Sequence, residues 1–133
     1  MRYLVAYVVT VIVFLGLDVL WLSQVALGMY RRELGGLLLD SPNLAIAGIF
    51  YLLFVAGIVV LCVAPALAGG GWVQALWTGA VLGLVAYGTY DITNLSTLKD
   101  WSLTVTLADL AWGAVLTAVS ATAATLVVGW LKL

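Results

Sequence analysis

A chain of 133 residues that is 65% hydrophobic and only 8% charged cannot cover a water-facing surface, because a soluble domain carries about 25% charged residues. With a mean hydropathy of +1.22, its solvent is the bilayer. A net charge of −1 without a basic run argues against a nucleic-acid partner, and the absence of histidine removes the commonest metal ligand and the usual near-neutral base.

The first apolar segment runs from Tyr3 to about Gly28. It is longer than the roughly 7–15 residues of a signal-peptide core, so it reads as a retained helix. It ends at the polar stretch Met29-Tyr30-Arg31-Arg32-Glu33. Ser41-Pro42 then offers an N-cap followed by proline at the first helical position. The second helix continues to about Ala68 and stops at Gly69-Gly70-Gly71. Its single cysteine, Cys62, has no intrachain partner and reads as a small lipid-facing or packed hydrophobe. A third segment extends from Trp72 to about Leu95, and a fourth, capped by Ser102, extends to about Trp130. Each exceeds the roughly 20 residues needed to cross a hydrocarbon core of about 30 Å.

The expected architecture is therefore all-α: an integral-membrane, antiparallel up-down four-helix bundle in a single transmembrane domain. The helices cover about 3–28, 42–68, 72–95 and 102–130, with both termini on one side. Basic residues divide almost evenly between the two sides; the pair Arg31-Arg32 favours cytoplasmic loops and periplasmic termini.

An aspartate at mid-helix costs about 2.5–3.5 kcal/mol on insertion scales, so each one demands an explanation. Asp18, Asp91 and Asp109 lie within about 10–15 Å of rise from one membrane face. Asp91 and Asp109 are also equidistant from Asp100, so a hairpin folded there sets them level. Gly79, Gly83, Tyr87 and Asp91 recur at i+4, as do Asp109, Gly113, Thr117, Ala121 and Thr125. Positions four apart share a face, and small residues on it let helices approach closely in a membrane. Asn94 extends this polar face toward the loop, and Tyr51 reaches a similar depth from the second helix. One polar layer built from all four helices is expected.

Within that layer Asp18, Asp91 and Asp109 are the candidate catalytic acids, with Tyr87 or Tyr51 as a proton relay. Trp21 and Trp112, each three residues after an aspartate, would wall the site together with Tyr51, Tyr87 and Asn94. Arg31 and Arg32 at the rim could hold a lipid phosphate. A carboxylate-and-amide set also suits a hard cation such as Mg²⁺ or Ca²⁺, although no diagnostic ligand spacing identifies a metal or other cofactor. Interhelical hydrogen bonding is the plainer role for such residues. Trp72, Trp77, Trp101 and Trp130 fall near span ends, where indole rings favour the interface.

The strings at 17–22 (LDVLWL), 30–35 (YRRELG), 90–101 (YDITNLSTLKDW) and 109–113 (DLAWG) resemble a bacterial family of predicted membrane proteins of unknown function, number twenty-one seventy-seven. The resemblance covers essentially the whole chain and implies a compact inner-membrane protein. Its characteristic positions match Asp18, Trp21, Asp91, Asn94, Asp109 and Trp112, and it carries no reaction with it. Members encoded near lipid-modifying enzymes of the cyclopropane fatty-acid synthase type hint at lipid metabolism. Three functions remain open on the residues. One is a membrane pocket that binds or processes a lipid or other amphiphile. Another is a small proton-coupled transporter acting as a dimer, a homo-oligomer that forms the pathway between its copies, and the last is a non-catalytic scaffold for a partner membrane enzyme.

Overall fold

The computed structural model describes residues 1–133 and is built entirely from helices and their connections. Three helical runs are long and apolar enough to cross a membrane: Arg2–Leu37, Leu44–Thr97 and Leu103–Trp130. The four expected segments reduce to three because the second and third lie in one run of 54 residues.

That run is not straight. Gly69 has φ 135° and Gly71 has φ 78°, values that only glycine adopts without strain. Upstream, Pro65 lacks the amide its helix would use, and the backbone makes five-residue π turns on either side of it, at Val59–Val63 and Ala66–Gly70. The Phe54 and Tyr87 ring centroids are 6.5 Å apart, whereas a straight helix would separate these positions by about 50 Å. The run therefore bends back at the glycines, giving an outer limb, Leu44–Ile58, and an inner limb, Gly71–Thr97. Arg2 ties the start of the first run to this bend, donating from Nη2 to the Leu67 carbonyl at 3.0 Å.

Three boundaries differ from the sequence reading. The first helix does not stop near Gly28; it continues to Leu34 and closes with a 3₁₀ turn, Gly35–Leu37. A π turn at Leu22–Ala26, closed by Leu27 N–H onto the Leu22 carbonyl, keeps it continuous. The outer limb is capped by Asn43 rather than Ser41, the Asn43 side chain accepting from Ile46 N–H at 3.1 Å. The inner limb reaches Thr97. The last helix starts as expected, with Ser102 Oγ accepting from Val105 N–H at 3.1 Å. The intervening connection turns at Asp100, whose φ of 61° is one that aspartate tolerates.

The core is asymmetric. Buried Gly79 and Gly83 of the inner limb sit against Gly113, Thr117 and Ala118 of the last helix, so these two backbones pack closest. The first run packs on the last helix, burying Ala6, Thr10, Phe14 and Asp18 at four-residue intervals. The outer limb rests on the first run through Phe14, whose ring meets Tyr51 and Phe54 edge-on at 5.7 and 5.6 Å. Its backbone stays apart from the inner limb and the last helix over the half before the Pro65 region. Side chains fill only part of that gap.

Candidate functional site

The gap beside the outer limb holds a cavity of about 420 Å³, a size within the roughly 300–1,000 Å³ of small-molecule sites. Each helical run contributes to its wall. From the first run come Asp18, Trp21, Leu22 and Tyr30; from the last, Asp109 and Trp112. Phe50, Tyr51 and Phe54 enter from the outer limb, and Ala86, Tyr87 and Tyr90 from the inner one. Asp18 and Asp109 are the charged groups of the wall, and no basic residue joins them there.

The first run brings Asp18 and Tyr30 to one site through its π turn. Four residues on an α-helix overshoot a full turn by about 40°, so a stripe of that spacing winds off the core face. A π turn is wound more loosely and takes rotation back. Asp18, Leu22, Ala26, Tyr30 and Leu34 thus all remain on the inner face, with Ala26 fully buried and the other four on the cavity wall.

Asp18 is 5% exposed and accepts a hydrogen bond from Trp112 Nε1 at 3.2 Å. The Trp112 indole stacks on Trp21 with centroids 4.8 Å apart and planes 8° from parallel. The shared offset of three residues from an aspartate therefore places the two tryptophans face to face. Tyr51 lines the same cavity as Asp18. Across the cavity, the Tyr30 hydroxyl donates to Asp109 Oδ1.

Asp91 is fully buried beside Asp109, behind the wall. Neither of its carboxylate oxygens has a hydrogen-bond partner. An unpaired buried carboxylate is costly. The same wall holds another unmet group, the buried Trp21 Nε1–H, which has no acceptor.

Six of the residues expected in the layer line the cavity: Asp18, Trp21, Tyr51, Tyr87, Asp109 and Trp112. Asn94 does not; its carbonyl accepts from Leu98 N–H at 2.9 Å, closing the end of the inner limb. Arg31 and Arg32 are exposed outside the wall, with Arg32 Nε 3.8 Å from Glu33 Oε1. No three acidic, histidine or cysteine side chains converge as they would on a metal ion. Sequence reasoning missed Tyr30, Tyr90 and Trp101. Tyr30 was assigned to a loop, although its position twelve residues after Asp18 continues the four-residue ladder. Trp101, at a span end as expected, also meets Tyr90 edge-on at 5.6 Å, and its Nε1 donates to Thr106 Oγ1 at 3.1 Å.

Residues 3–126 match the model of a family described as Predicted membrane protein (DUF2177). The chain belongs to this family. It is thus a predicted membrane protein of a family of unknown function, and the match spans every residue of the cavity wall. No curated protein and no solved structure matches the chain.

Proposed function

We propose that this family member crosses the bacterial inner membrane four times, as an antiparallel bundle with both termini on one side, and binds a lipid or other amphiphile within it. The observation that carries the reading is the cavity, aromatic and apolar except for Asp18 and Asp109, in a chain whose surface is itself apolar. An amphiphile matches that wall, with its polar end at the carboxylates and its chain along Phe50, Phe54 and Tyr87. Leu38, Phe50 and Tyr90 line the cavity and are exposed at the protein surface. They face the hydrocarbon, so the ligand enters sideways from the lipid phase. In this reading Asp18 and Asp109 are the groups that meet the ligand, and Asp91 positions Asp109 from behind and exchanges a proton with it.

The test compares membrane lipid composition, by mass spectrometry, in a deletion strain complemented with wild type, Asp18→Asn, Asp91→Asn or Asp109→Asn. Deletion is expected to change the lipid profile, and each variant to reproduce that change. If deletion shifts the profile and all three variants restore it, the site assignment is wrong.

A further inference from the structure

We infer that the ligand this cavity takes is a cationic amphiphile, one carrying a primary or quaternary ammonium group next to an alkyl chain. The inference rests on the amphiphile reading and adds the charge of the head group.

The unbalanced charge of the site is the first reason. Asp18 and Asp109 face the cavity and Asp91 lies directly behind Asp109, while Arg31 and Arg32 stay outside and exposed. No histidine exists in the chain to compensate. Intramembrane carboxylates are expensive and ordinarily pair with a cation. Here no protein cation is available to them.

Unmet hydrogen-bonding capacity is the second. Asp91 is 0% exposed behind the wall, so its two unpaired oxygens are out of a ligand's reach and the capacity that counts is that of the two acids in front of it. Asp18 and Asp109 each accept one neutral donor, Trp112 Nε1–H and Tyr30 O–H. A carboxylate has about four lone-pair positions, so both retain accepting capacity toward the cavity. An ammonium group supplies donors and charge together; a carboxylate or phosphate head would add like charge to the site.

The third reason is the aromatic wall, which is independent of the acids. Trp21, Trp112, Tyr30, Tyr51, Tyr87 and Tyr90 surround the space between the carboxylates. Faces of tryptophan and tyrosine attract cations within about 6 Å of the ring centre. Aromatic rings combined with acids make the type of enclosure that recognises alkylammonium groups.

The experiment measures binding of three probes with equal twelve-carbon chains to the full-length protein in maltoside micelles, by native mass spectrometry. The probes are dodecylammonium, dodecanol and dodecanoate. Dodecylammonium is expected to bind at least about tenfold more tightly than dodecanol, the margin a charge-assisted hydrogen bond supplies. Asp18→Asn and Asp109→Asn should each reduce that preference several-fold while dodecanol binding persists, which shows that the variants are folded. Equal binding of the ammonium and the alcohol, or a preference for dodecanoate, overturns the charge inference and leaves the amphiphile reading standing. Failure of all three probes to bind wild type overturns both. An ammonium preference unchanged in both variants also overturns the inference, because the charge would then be read elsewhere.

Discussion

Gly83 of the inner limb lies so close to the last helix that a Cβ built on it would overlap the Gly113 carbonyl, and one built on Gly79 would come 2.9 Å from Ala118 Cα. Gly83→Ala is therefore expected to force the two backbones apart and to cost about 1–3 kcal/mol, the usual penalty of overpacking. Gly57→Ala meets nothing within 4 Å and is expected to leave stability unchanged. Thermal unfolding of the two detergent-solubilised variants against wild type checks the contrast. Trp112→Phe keeps an aromatic ring against Trp21 but removes the donor to Asp18. It is expected to destabilise by about 1–3 kcal/mol through the unsatisfied carboxylate. It should also abolish the exciton couplet that the stacked indoles give in circular dichroism, the signal that reports whether the pair forms. These stripes are legible in sequence because small residues and aspartates repeat at i+4 on an otherwise uniform apolar background. The partners of each aspartate are not, since nothing local says which ring of which helix reaches it. Tyr30 shows why: it stands beside Arg31 and Arg32, whose charges read as a loop, yet it turns inward to Asp109.

At the scale of the helix, the feature hidden from sequence is the π turn Leu22–Ala26. Its residues, Leu-Ser-Gln-Val-Ala, include no glycine or proline to mark it. The extra residue is held by tertiary packing, which keeps both Asp18 and Tyr30 inward. Deleting Gln24, an exposed member of the turn, should take out the extra residue, restore ordinary α-helix and leave everything beyond it on its present face. Tyr30 would then stay on Asp109. The deletion is expected to keep ligand binding, with the helix content retained by circular dichroism. Loss of binding in the deletion variant would show that the turn does more than absorb one residue. The break at Gly69–Gly71, by contrast, is legible: three consecutive glycines in an apolar run leave few other readings. The N-cap at Asn43 was missed because Ser41-Pro42 offers an equally good capping signal two residues earlier.

For the whole molecule, composition and span length suffice to identify a helical membrane protein, because 65% hydrophobic residues leave no soluble alternative. How often the chain crosses depends on whether the Gly69–Gly71 bend reaches the opposite membrane face. Single cysteines introduced at Asp40, Gly70 and Lys99 in a Cys62→Ala background test this with a membrane-impermeant maleimide. Asp40→Cys and Lys99→Cys are expected to label from one side and Gly70→Cys from the other. Labelling of all three from the same side would overturn the four-crossing topology. The cavity itself was not legible, since it arises from an absence: the outer limb leans on the first run and leaves its other flank unpacked. On the proposed lipid-side entry, that missing contact also decides which reservoir the site samples. A binding space that opens sideways equilibrates with the two-dimensional pool of the bilayer, and its occupancy follows mole fraction in lipid rather than molarity in buffer. Diluting proteoliposomes with water should leave the site as full as before. Fusing them with ligand-free vesicles should empty it in proportion to the lipid added.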